Sequence, residues 1–171
     1  MLGREGIEAR RRLRARALVR QAEGRGSPVV LPYDPGVIPT LPAPPAGCRI
    51  TIELAGLPPD KDTSRSIRNS SHPRHQAFLD LREAAIAAMG GRAWSFGAVG
   101  VDVTIHAPEP PGNSYLNEYV GGVLDTLDGS AGRSFTYLPV MFEDDCQVCE
   151  LASRWVKDAD TWYRLVVTFL E

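Results

Sequence analysis

Residues 113–129, NSYLNEYVGGVLDTLDG, run into SAGRSFTYLPVM (130–141) and then FEDDCQVCEL (142–151), and the reading of this stretch decides the fold. Leu116, Val120, Val123 and Leu127 recur at offsets of 4, 7 and 11, the apolar stripe of an amphipathic helix. At about 100° of rotation per residue, Asn117, Glu118, Asp125 and Asp128 fall on the opposite face. Gly121 and Gly122 leave that face without bulk. Glu143, Asp144 and Asp145 arrive just before an extended apolar run, so acids from two successive elements are expected to converge.

Upstream of this stretch, residues 108–114 (PEPPGNS) break the chain, with Asn113 or Ser114 as the expected N-cap. Residues 98–107 alternate Val99, Val101, Val103 and Ile105, a strand with Asp102, Thr104 and His106 on its other face. Residues 76–89 carry Phe78, Leu81, Ala85, Ala88 and Met89 at helical spacing, and Gly90 and Gly91 mark the C-cap. Residues 60–76 are polar and read as a solvated connection. From Cys48, RITIELAGL alternates Ile50, Ile52 and Leu54 until Pro58 and Pro59 stop it. Downstream, residues 147–156 and 161–170 read as strands joined by a turn at 157–160. The order β-α-β-α-β-β implies an α/β domain with a four-stranded mixed sheet and one layer of helices.

Three segments follow from composition: a basic helical extension over 1–27, a Pro-rich linker over 28–47 and the α/β domain over 48–171. Residues 28–47 hold seven of the fourteen prolines, which favours an extended chain over a sheet interior. The net charge of −2 is unevenly spread, because residues 1–25 contain eight arginines and three glutamates. The rest of the chain is therefore acidic. A basic head on an acidic body points to a polyanion-binding arm, or to an arm that folds onto its own body. No apolar run reaches membrane-spanning length and no secretory signal is read at the N-terminus. Three cysteines, Cys48, Cys146 and Cys149, are too few and odd in number for a disulfide framework, so a cytoplasmic location is expected.

The layout resembles the RusA family of Holliday-junction resolvases, in which a V-L-D-A-L-N-G helix end is followed by an aromatic-x-D-D-x-Q-V strand start. VLDTLDG (123–129) and FEDDCQV (142–148) match these landmarks. The resemblance implies a RusA-like domain, a homodimer, branched DNA as partner, and Mg²⁺-dependent phosphodiester hydrolysis in recombination and repair. Counting back from Asp125, Tyr115 and Asn117 stand where the family has its first two metal-binding aspartates, Glu118 on its asparagine and Gly121 on its lysine. Asp145 matches the third metal-binding aspartate, with Asp144 beside it. The resemblance thus nominates Asp145, Asp144, Asn117 and Glu118 as catalytic positions.

A phenol with a pKa near ~10 is no Mg²⁺ ligand at neutral pH, and Asn117 offers a neutral oxygen only. Two negative charges and one positive charge are missing from the family's constellation. A relocated metal site would consist of Asp145, Glu118 and Asp125, although Glu118 and Asp125 stand about 10 Å apart along the helix. The other reading is that the acids of FEDD cap or turn the strand. DNA contacts fall to Lys61, Arg65, Arg68 and Arg74 in the 60–76 connection, where family members carry basic residues, and to Arg11 and Arg14 in the basic extension. Cys146-x-x-Cys149 has no second Cys/His pair at finger-like spacing, which sets zinc aside, and no nucleotide-binding or hydrolase motif is present. Two functions are implied: a RusA-like structure-specific endonuclease, or a non-catalytic relative that binds DNA or protein.

Overall fold

The computed structural model describes residues 39–61, 65–110, 116–128, 130–131 and 136–171. Arg11, Arg14 and the rest of the basic extension, the first part of the Pro-rich linker, and the expected N-cap at 113–114 lie outside the described residues. Among the described residues, two α-helices and six strands succeed one another: β1 (Arg49–Ala55), α1 (His75–Met89), β2 (Val99–Ala107), α2 (Leu116–Leu127), β3 (Ser130–Ala131), β4 (Thr136–Tyr137), β5 (Val148–Lys157) and β6 (Trp162–Phe169). The small β3–β4 ribbon between α2 and β5 has no alternation in the sequence to announce it.

The four long strands form one mixed sheet in the order β1-β6-β2-β5. β6 pairs antiparallel with both β1 and β2, while β2 and β5 run parallel. A parallel pair needs a crossover, and α2 with its following loop supplies it. Register follows the alternation: Ile50, Ile52 and Leu54 stand opposite Val167, Leu165 and Tyr163. Val101, Val103 and Ile105 of β2 stand opposite Val167, Leu165 and Tyr163 from the other side. These residues and Val99 and Phe169 share the face covered by Leu81, Ala85 and Met89 of α1 and by Tyr119, Val120, Val123 and Leu127 of α2 in one core. Burial of these side chains drives the layer together, at about 25 cal/mol per Å² of apolar surface.

Helix α1 ends as expected. Gly90 adopts φ 55° and donates its backbone N–H to the Ala87 carbonyl, a left-handed cap that costs glycine least.

Two features depart from the sequence expectations. The end of the Pro-rich stretch is laid onto the domain, since Thr40 and Leu41 N–H groups donate to the Gly91 carbonyl and Ala93 N–H donates to the Leu41 carbonyl. Contact with the folded unit therefore begins before Cys48. The 60–76 connection is only partly solvated: Ile67 packs against Phe78, and Ile67 and His72 are buried.

Candidate functional site

The two motif-bearing segments meet at the C-terminal end of α2. Val140 and Met141 N–H groups both donate to the Leu127 carbonyl, at 3.0 and 3.1 Å. Ser95 N–H donates to the Met141 carbonyl. The chain entering FEDDCQV is thus fastened both to the end of α2 and to the segment before β2.

The FEDD acids sit in a built turn. A short 3₁₀ turn, Asp145–Gln147, is capped by Asp144, whose side chain accepts from Cys146 N–H at 2.9 Å. Gln147 Oε1 accepts in return from the Glu143 and Asp144 N–H groups at 2.8 and 3.0 Å, a reciprocal capping box. Gln147 Nε2 donates to the Ser95 and Gly97 carbonyls at 3.1 and 2.7 Å. Capping, the alternative reading of these acids, describes Asp144. Asp145 is exposed in the same turn. Cys146 lies in this turn, close to the acids. Both Cys146 and Cys149 thiols are free and exposed, and the adjacent Asp144 carboxylate pushes the Cys146 thiol up.

On α2 the glycine face is covered rather than open. Gly122 is buried beneath the backbone of Pro59 and Asp60: a Cβ there would lie 2.2 Å from the Pro59 carbonyl oxygen. Lys61 N–H donates to the Glu118 carbonyl at 3.0 Å, and the Lys61 side chain lies over Gly121. Its ammonium reaches Asp125 at 3.4 Å. A cation thus stands beside the position where the resembled family has a helix lysine, delivered by a different segment.

Nothing in the sequence places Arg68. Its Nη2 donates to Asp128 Oδ1 at 2.9 Å and to the Asp125 carbonyl. Side-chain exposures of 12% for Arg68 and 13% for Asp128 make this an interior pair. Arg82 from α1 donates to the Leu138 carbonyl at 2.8 Å and to the Thr126 carbonyl at 3.4 Å. Helix α2 has no basic residue in its own last turn, so two arginines from elsewhere satisfy its final carbonyls and oppose its dipole.

Burial pushes the Asp128 carboxyl up to about 7; Arg68 opposes this, while Asp125, Asp145 and Asp144 add to the rise. Acids from α2 and from the FEDD turn therefore do act on one another, around Asp128.

Of the remaining nominated residues, Asn117 is exposed and Glu118 half-buried on α2. Tyr115 lies outside the described residues. Among the described residues, no group of three His, Cys, Asp or Glu side chains is placed to hold a metal ion. The donor chemistry agrees: Asp128 is committed to Arg68, Asp125 faces Lys61, and Asp144 accepts from its own turn. Glu118, Asp125 and Asp145 are not brought into one ligand group, and these residues do not fit a resident Mg²⁺.

Among the DNA-contact candidates, Lys61 and Arg65 are exposed and Arg74 half-buried, whereas Arg68 is turned inward. His106 is stacked on Trp162, ring centroids 3.7 Å apart, away from this site. Trp162 Nε1 donates to Asp158 at 3.0 Å, which with backbone N–H groups holds the Asp158 carboxyl below its usual range. No helix among the described residues is long and apolar enough to cross a membrane.

In comparisons with known proteins, no family model matches the chain and no curated protein matches it.

Proposed function

We propose that this chain is a RusA-like protein of the Holliday-junction resolvase type that binds branched DNA without hydrolysing it on its own. The observation that carries this reading is the junction of VLDTLDG and FEDDCQV at the end of α2, tied by the Leu127 carbonyl. The element order expected for such a domain accompanies it. Lys61 is an exposed cation seated on α2, Arg65 is exposed in the same connection, and the basic extension supplies the rest of the phosphate attraction, since the body itself is acidic.

A Mg²⁺-dependent endonuclease is the second reading. It is favoured by the electrostatic convergence of Asp125, Asp128, Asp144 and Asp145, and opposed by the commitment of three of these carboxylates to protein partners. A synthetic four-way junction tests both readings, with binding and cleavage followed in Mg²⁺ and Mn²⁺ for the natural chain and Asp145→Asn. Junction-preferring binding without cutting is the expected result. Metal-dependent cutting abolished by Asp145→Asn would establish the second reading, and absence of junction binding would refute the first.

A further inference from the structure

Strand order leaves β5 at one rim of the sheet, bonded to β2 alone among the described strands. It is ten residues long, and residues 149–154 are all exposed. A sheet covered by helices on one side normally buries that face of its strands, but residues 149–154 of β5 are open on both faces, and only Val148 and Trp155 at the two ends pack against the core. Leu151 on the helix side is 55% exposed and Val156 on the other side 37%. A rim of this length presents backbone N–H and C=O groups as a template for another strand.

A bulge at Cys149 sets the phase of the rest of the strand. Val148 stands opposite Val99, but Glu150 opposite Gly100, Ala152 opposite Asp102 and Arg154 opposite Thr104. Glu150, Ala152 and Arg154 therefore share the face away from the helices. Arg154 is held on that face by Asp102, at 2.9 Å. Glu150 has no ion pair among the described residues.

We infer that β5 pairs antiparallel with β5 of a second copy, about a two-fold axis through Ala152, joining two four-stranded sheets into one. A two-fold normal to the sheet keeps every residue on its own face, so only residues of like phase oppose one another. With the axis on Ala152, Glu150 stands opposite Arg154 of the second copy, and Arg154 opposite Glu150 of the second copy. Both cross-strand pairs are of opposite charge, and the axis itself carries a methyl group. Moving the axis to Leu151 sets Glu150 against Ala152. Moving it to Ser153 sets Glu150 against Val156 and Arg154 against Ala152.

Only the register centred on Ala152 pairs the charges directly, and direct cross-strand pairs are the unit of sheet stabilisation. Leu151 of the two copies then become diagonal neighbours on the helix side. Rim charges of one sign would repel other strands, whereas Glu150 and Arg154 mirror each other in sign and distance about Ala152. This inference does not depend on the DNA-binding proposal.

Sedimentation over a concentration series tests it with the full chain, Glu150→Lys and Arg154→Glu. The natural chain is expected to dimerise, and each single variant to do so roughly tenfold or more weakly, because like charges then oppose one another twice. An equimolar mixture of the two variants restores opposite charges at both positions and is expected to regain the dimer. Because Arg154→Glu also removes the contact with Asp102, amide exchange gives a second measurement. Among residues 150–154, the amides that point away from β2 are expected to slow with protein concentration in the natural chain and not in Glu150→Lys. A natural chain that stays monomeric overturns the inference, including the case in which residues 1–38 cover the rim. So does a dimer unaffected by either substitution, or a mixture that does not regain it.

Discussion

Arg68 closes the C-terminus of α2 from a loop 60 residues away in sequence: one nitrogen donates both to the Asp128 carboxylate at 2.9 Å and to the Asp125 carbonyl. The pair is interior, so its removal leaves a desolvated carboxyl without its counter-charge and an unsatisfied helix end together. Arg68→Met is expected to destabilise the fold by about 3 kcal/mol, lowering the thermal midpoint by roughly 10 °C. Arg68→Lys should recover only part, since the compact ammonium is more strongly hydrated than a guanidinium and costs more to hold in the interior. A thermal melt checks this, and a loss below about 1 kcal/mol would place the pair among ordinary surface bridges.

Asp128 should also write a pH dependence into stability. Its carboxyl is raised from 3.8 to about 7 in the folded chain, so between these values the folded state holds a proton that the unfolded chain has released. The associated stability is complete below about 3.8 and is lost as pH rises through about 7. Asp128→Asn cannot ionise. The difference between the two unfolding free energies, followed by urea titration from about pH 4 to 8, should therefore move steadily in favour of the variant. A pH-independent difference would show that Asp128 is ionised throughout.

Gly121 and Gly122, adjacent in sequence, should respond in opposite ways to alanine. At Gly122 a Cβ meets the Pro59 carbonyl oxygen at 2.2 Å and the Asp60 nitrogen at 2.8 Å, backbone that must move as a unit. Gly122→Ala is expected to cost about 2 kcal/mol by overpacking. At Gly121 the nearest atom is Lys61 Cδ at 3.1 Å, the flexible part of a side chain. Gly121→Ala should be neutral or gain up to about 1 kcal/mol from helix propensity. Chemical denaturation of both variants checks the contrast, and equal effects would mean that the segment at Pro59 is not seated on α2.

Gln147 is placed to hold the FEDD turn through both ends of its amide. Gln147→Glu keeps an acceptor for the Glu143 and Asp144 N–H groups but turns a carboxylate toward the Ser95 and Gly97 carbonyls. It should cost more than Gln147→Ala at neutral pH, with the alanine loss on the order of 1–3 kcal/mol. Part of the glutamate loss should be relieved on acidification, when its carboxyl regains a donor. Unfolding measured at about pH 4 and about pH 7, on either side of glutamate protonation, distinguishes the two. A glutamate variant indifferent to pH would count against the carbonyl contacts.

The amino-acid sequence by itself determined the long elements. Alternation in 49–55, 99–107 and 162–169 marks one buried face per strand, and the stripe through Leu116, Val120, Val123 and Leu127 marks the buried side of α2. These are periodic signals, local to the segment that carries them. The reciprocal cap of Asp144 and Gln147 has a local signature too, an acid followed three residues later by glutamine.

The site was decided by the tertiary structure, because its contacts join residues far apart along the chain. Nothing local to Arg68 announces that it will reach Asp128, nor that Pro59 will press on Gly122. The protonation of Asp128 likewise depends on burial and on charges from a second element, and neither exists until α2 and the FEDD turn are packed together.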